Sequence, residues 1–339
     1  MSAQTEVKTD VLIVGAGPVG IFTAFECGMA GLKSHLIDAL PHPGGQCVAL
    51  YPEKPIFDIP ALPRITGGAL IEQLLTQARP FEPVFHCSAH IVEMDRRDDR
   101  WYVVMSSGVK IVCGAIIVAS GAGLLRPNKP DWPGLDRFEG CGVHYGVTHK
   151  DRFENRSVVI AGGGDSAVDW AVELAPITRS LTLIHRRERF RAAPETLRQM
   201  HELVDTGRIE IVAPAKVLGL GGSDQQLQHV EVQVGTSPRI IDCDDMLLFF
   251  GLATDASAYH EWGLRIDGTQ VVVEPATCAT NLAAVFAVGD VATYPGKLKL
   301  ILTGFSEAAI AAREAYRLCN PNEEIFTEYS TARGVPVTH

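Results

Sequence analysis

The sequence contains no Cys-x-x-Cys. Its eight cysteines, Cys27, Cys47, Cys87, Cys113, Cys141, Cys243, Cys278 and Cys319, are so spread that the nearest two stand 20 positions apart. That excludes a zinc ribbon and a local dithiol, and reads as separate thiols in a reducing compartment. Long apolar runs are also absent. The longest, Val11–Phe25, is broken by glycines and a proline and falls short of the ~20 residues a spanning helix needs. The opening MSAQTEVKTD has neither the basic region nor the apolar run of a signal peptide, so a cytoplasmic protein without a membrane partner is expected. Positive charge is in deficit: 30 Lys and Arg against 40 Asp and Glu give −10, which argues against attraction of the whole chain to nucleic acid.

What is present is a repeated grammar. Val11–Val14 is a short apolar run that meets Gly15; a helical pattern from Gly17 to about Ala30 and a strand at Ser34–Ile37 follow. The same order returns 147 residues later, with Ser157–Ala161 before Gly162, a helix from Asp165 to about Ala175 and a strand at Leu181–Ile184. Later strands ending in glycine follow each unit (Ala115–Gly121 and Met246–Gly251), and a third, Val285–Val288, leads into Gly289-Asp290 and a helix from about Thr303. Strand alternating with helix means parallel sheet. The expected fold is therefore α/β: two Rossmann-like dinucleotide-binding domains, the second inserted into the first. The expected boundaries are 1–122 with 283–325 for the first, 123–282 for the second and a tail at 326–339. The proline-rich segment Gly44–Gly68 is too long and apolar for a plain linker.

Gly15-Ala-Gly17-Pro18-Val-Gly20 fits G-x-G-x-x-G, and Gly162-Gly-Gly164-Asp165-Ser166-Ala167 fits its variant with alanine in third place. Each follows a strand and opens a helix, the context in which free N–H groups at a helix start hold a pyrophosphate. Twenty-three residues beyond the first glycine the two units diverge. The first has Asp38, which can accept from a ribose 2′-hydroxyl and repels a 2′-phosphate. The second has His185, then Arg186, Arg187 and Arg191, whose guanidinium forks match a phosphate dianion. The first site should take FAD or NAD and the second NADP(H); the bland alternative for the second is a solvated charged face with Glu188 as partner. Two nicotinamides in one chain would accomplish little, whereas NADPH and a flavin support direct hydride exchange. Asp290, at a strand end before a helix, is placed for the flavin's ribityl chain, or else serves as a turn cap.

These motifs, with Gly44-Gly45-Gln46, HRRERFRA at His185–Ala192 and Val288-Gly289-Asp290, resemble the thioredoxin-reductase-like pyridine nucleotide-disulfide oxidoreductases. Within that group, LYPEKPIFDIPA at Leu50–Ala61, GGGDSAVDWA at Gly162–Ala171 and YPGKLKLILTGFSEA at Tyr294–Ala308 resemble ferredoxin–NADP⁺ reductases. The resemblance covers nearly the whole chain. One departure from thioredoxin reductase matters: Gly146-Val-Thr-His149 stands where that enzyme has its CxxC, and Cys47 is alone. The resemblance implies FAD contacts at Asp38, Gln46, Tyr51, Ile91, Leu125, Asp290 and Thr331, with Gly45 beside Gln46. It implies an aromatic on each flavin face, Tyr51 on one and Tyr329 on the other; the bland role for either is ordinary packing. It also implies a homodimer.

The expected activity is FAD-dependent electron transfer between NADP(H) and ferredoxin or flavodoxin, with no redox disulfide and no protein acid or base. The rivals are a thioredoxin-reductase-like enzyme with another acceptor and a non-enzymatic FAD/NADPH sensor. An acidic chain needs a local basic patch to dock an acidic ferredoxin; Lys297, Lys299, Arg96, Arg97 and Arg100 are the candidates.

Overall fold

The computed structural model describes residues 6–323 and 334–335, with backbone only at 124–126 and 252–255. The chain divides into two units, residues 1–125 with 254–339, and residues 126–253.

The first unit is built on a five-stranded sheet in the order Val285–Ala287, Ala115–Val118, Val11–Val14, Ser34–Ile37, Val84–His86. Every neighbouring pair is parallel. Successive side chains on a strand point to opposite faces, and where both faces are covered the runs are apolar throughout, as in Val11–Val14, Ala115–Val118 and Val285–Ala287. Leu12, Ile37, Ile116 and Val118 face Trp101, Val103, Met105 and Ile111. Those four belong to a second sheet, ordered Glu6–Lys8, Lys110–Cys113, Arg100–Met105, Ile91–Arg97. Val11, Ile13, Leu36 and Ile117 face the other way, against Ala24 and Cys27 of the helix Pro18–Met29 and Ala308, Ala311, Ala312 and Ala315 of the helix Ile301–Cys319. Those alanines recur at helical spacing and let that helix lie close to the sheet.

The second unit repeats the plan. Its parallel sheet runs Val143–His144, Asp245–Phe249, Ser157–Gly162, Ser180–Ile184, Glu210–Val212. The helix Asp165–Leu174 packs on it. Val159, Ala161, Met246 and Leu248 meet Val230, Val232 and Ile241 of an antiparallel sheet formed by Ala215–Ser223, Gln226–Val234 and Ser237–Asp242.

The fold class is the expected one, two Rossmann-like units with the second inserted. The return to the first unit comes at Thr254 rather than at 283. Residues 254–282 rejoin the first core because Tyr259, Leu264, Val271 and Val273 are buried in it, and Gln270–Val272 pairs in parallel with Ala292–Thr293. The expected tail lies outside the described residues except for 334–335.

Candidate dinucleotide-binding sites

In the first unit, strand Val11–Val14 delivers the chain to Gly15 at φ 108°, where a Cβ would stand 2.5 Å from the carbonyl oxygen of Ala119. Gly20 abuts Gly15: a Cβ on it would lie 1.9 Å from the Gly15 carbonyl oxygen. The helix then opens with Gly17 as N-cap, Pro18 in its first turn and no side chain capping it. Its leading N–H groups, at the positive end of the helix dipole, are left for an outside anion.

The GGQ segment folds onto this turn. Gly44 donates its N–H to the Ala16 carbonyl at 2.8 Å. A Cβ on Gly45 would approach the Cα of Gly17 to 2.9 Å, so the two backbones need glycine to meet. Gln46 follows in the short helix Gly45–Ala49 with its amide beside Gly121. Asp38 is half-buried at the end of its strand. One of its oxygens accepts from Ala16 N at 2.7 Å and the other from Leu40 N at 2.8 Å. A carboxylate offers about four acceptor positions, so capacity remains for a ribose.

Asp290 follows the strand Val285–Ala287 through Val288 and Gly289. Among the described residues no donor reaches its carboxylate; only its backbone carbonyl is engaged, by Gln270 Nε2 at 2.8 Å. Burial raises its pKa, while Lys297 and Lys299 pull it down. Tyr51 lies close by. Burial raises its phenol pKa, with Cys47 and then Asp290 adding to the rise, and the Cys47 thiol donates to its hydroxyl oxygen at 3.8 Å. The free N–H groups at the start of the helix Pro18–Met29 and two half-buried carboxylates, Asp38 and Asp290, just beyond two strand ends fit an FAD. Ile91 is buried in the core, so a nucleotide contact there would go through its backbone. The side chain of Leu125 and all of Tyr329 and Thr331 lie outside the described residues.

In the second unit the helix Asp165–Leu174 opens at N-cap Gly164, again with no side-chain cap. Asp165 and Ser166 are exposed at its start, and Asp165 accepts from Ala193 N at 3.0 Å. The HRRERFRA loop folds back over the glycine turn: Arg191 N donates to the Gly163 carbonyl at 2.7 Å, and Arg191 bridges Gly164. The His185 ring packs on Gly163, where a Cβ would meet it at 2.2 Å, and tilts against Phe190 at 5.1 Å between centroids. Burial lowers the His185 pKa, and Arg186 and Arg187 lower it further. It is therefore a neutral platform, and the charge comes from the arginines. Arg186, Arg187 and Arg191 are exposed, and among the described residues none forms an ion pair with a carboxylate, Glu188 included. Arg187, Arg189, Arg191 and Asp165 line an open cleft of about 1190 Å³ together with Pro194, Leu197 and His201. The sequence reading did not single out Arg189 or the helix Pro194–Asp205, although Pro194 just after the arginine run marks a helix start.

The docking candidates divide. Lys297 is not a surface cation: its side chain is 4% exposed and ion-paired with Glu307, itself 4% exposed. Arg96 pairs with Asp99 at 3.0 Å and Arg97 with Asp95 at 2.7 Å, so their charge is balanced locally. Lys299 is exposed. The cysteines form no disulfide among the described residues, and burial pushes the thiols of Cys113, Cys243 and Cys278 up to about 12, where none is a nucleophile at neutral pH.

Fold and sites together define a protein with two dinucleotide-binding units. A family model, pyridine nucleotide-disulphide oxidoreductase, matches residues 9–315. The chain belongs to that family. It is 46% identical to the ferredoxin–NADP reductase of Rhodospirillum rubrum, with 99% of each chain covered. It is 47% identical to the ferredoxin–NADP reductase of Granulibacter bethesdensis, covering 97% of this chain and 95% of that one. Among solved structures it resembles Lactococcus lactis thioredoxin reductase, with TM-score 0.77, 23% identity, and 92% of this chain and 99% of that one covered. At that identity the likeness concerns the fold.

Proposed function

We propose that the protein is an FAD- and NADP(H)-dependent oxidoreductase that moves electrons between NADP(H) and ferredoxin. The observation that carries the reading is the divergence of two otherwise equal sites: Asp38, anchored on the first glycine turn, against the exposed Arg186, Arg187 and Arg191 around the second. Relatives at 46–47% identity over nearly the full chain carry the name ferredoxin–NADP reductase. When bound, FAD accepts an electron pair from the nicotinamide and releases electrons singly to the acceptor.

In this reading Gly15, Gly17, Pro18 and Gly20 shape the turn whose free helix N–H groups meet the FAD pyrophosphate. Asp38 holds the ribose, Asp290 the ribityl chain, and Gly45 and Gln46 close the loop over the turn. Tyr51 covers one face of the flavin; by resemblance Tyr329 is assigned the other face and Thr331 an FAD contact. Gly162, Gly164, Asp165 and Ser166 frame the NADPH pyrophosphate, and the arginines take the 2′-phosphate. Flavodoxin as a second acceptor and a cytoplasmic homodimer complete the proposal.

The test is an acceptor panel with NADPH: ferredoxin, flavodoxin, thioredoxin with a dithiol reagent, and a quinone. Ferredoxin turnover without thioredoxin turnover supports the reading. Thioredoxin turnover overturns it, and a yellow protein whose colour NADPH leaves unchanged supports the sensor instead.

A further inference from the structure

Glu307 lies on the apolar face of the helix Ile301–Cys319, in line with Gly304, Ala308 and Ala311. It is 3% exposed and among the most buried charged residues of the first unit. Its carboxylate meets three donors. Oε2 accepts from Gly289 N at 2.7 Å; Oε1 accepts from Tyr294 Oη at 2.6 Å and from Lys297 Nζ, whose side chain is 4% exposed. A buried carboxylate without donors would be costly, and this one is satisfied on both oxygens. Gly289 N–H is the first donor beyond the strand Val285–Ala287 and its extension at Val288, so the sheet has no acceptor to offer it. Gly289 also holds φ 75°, and a Cβ on Gly304 would approach its Cα to 3.2 Å and the Val19 side chain to 2.4 Å. The start of the helix, the Gly289 turn and Val19 in the first glycine-rich motif are thus in close mutual contact.

We infer that Glu307, charged and held by Lys297 and Tyr294, is a positioning residue that fixes the Gly289-Asp290 turn for FAD. This rests on the FAD reading of the first unit. A buried ion pair is weak evidence for stability, because two hydrophobic residues can often replace it at little cost. Its location explains its retention better. The pair grips the backbone N–H of Gly289, the residue before Asp290, whose carboxylate meets no donor among the described residues. Glu307 acts through its hydrogen bond from Gly289 N.

The experiment uses holoprotein and three variants: Tyr294→Phe, Lys297→Met, and Lys297→Met with Glu307→Gln. The readouts are the FAD dissociation constant by flavin fluorescence, the visible circular dichroism of the bound flavin and the thermal midpoint. Lys297→Met leaves a buried charge unpaired and should weaken FAD binding by at least ~10-fold and alter the visible dichroism. The double variant is neutral and keeps an amide oxygen for Gly289 N–H, so FAD affinity should return to within ~3-fold of the parent. Tyr294→Phe removes one neutral donor and should weaken binding by ~3–10-fold. If Lys297→Met does not fold, the Tyr294→Phe and double variants carry the same comparison. Lowered thermal midpoints with FAD affinity and dichroism unchanged in every folded variant would overturn the inference. A parent protein that binds no FAD would instead remove the reading on which it rests.

Discussion

Asp38 and His185 stand at the same offset from their glycine turns, and the structure sharpens the difference between them. Asp38 spends two acceptor positions on backbone N–H groups and keeps the rest. His185 is held neutral by burial and by its arginine neighbours. In the proposed function, discrimination for the 2′-phosphate therefore falls to the guanidinium groups. Replacing Arg186 and Arg187 by Ala should raise the NADPH KM at least ~10-fold, since hydrogen bonds to charged groups contribute about 1.5–3 kcal/mol each. NADH turnover should change little; steady-state kinetics with both nucleotides check this, and equal loss with both would make the arginines structural. Asp38 and the arginines were legible in the sequence because a motif fixes their offset. Glu307 was not, and Lys297 was read as a surface cation. Their pairing depends on where the loop after Asp290 meets the helix, and no local pattern encodes that. The one signal available was an acid on an otherwise small, apolar helical face.

At the scale of elements, the edge of the first sheet carries a pH dependence. His35 in the strand Ser34–Ile37 and His86 in Val84–His86 share a ring-nitrogen contact of 2.9 Å, with ring centroids 5.2 Å apart. Burial lowers both pKa values below the usual 6.5, and His86 lowers His35 further. The folded state thus binds fewer protons than the unfolded state over the window below 6.5. Stability should rise with pH through that window and level off above it. Thermal midpoints from pH 5 to 8 should show this slope, and His86→Gln should flatten it; an identical slope in the variant would place the dependence elsewhere. The central parallel strands Val11–Val14, Ala115–Val118 and Ser157–Gly162 were legible because they are buried and almost wholly apolar. The strands Ile266–Asp267 and Gln270–Val272 were not. Elements of two or three residues carry no period, and the second crossover was expected at 283 for that reason.

At the scale of the molecule, electrons in the proposed reaction leave without a dithiol. The described cysteines are free, and none neighbours another in sequence. A variant with all eight replaced by Ser or Ala should keep electron transfer from NADPH to ferredoxin per bound flavin. Core substitutions lower stability, so flavin content is measured alongside; loss of transfer at full flavin occupancy would reveal a redox thiol. The central claim, one chain joining NADPH to ferredoxin through FAD, is tested most directly by an anaerobic single-turnover experiment on the native holoprotein. NADPH is added first and ferredoxin second while the flavin absorbance is followed. NADPH should bleach the flavin, and ferredoxin should restore its colour as ferredoxin itself is reduced. A flavin that NADPH does not bleach, or a bleached flavin whose colour ferredoxin fails to restore, would contradict it.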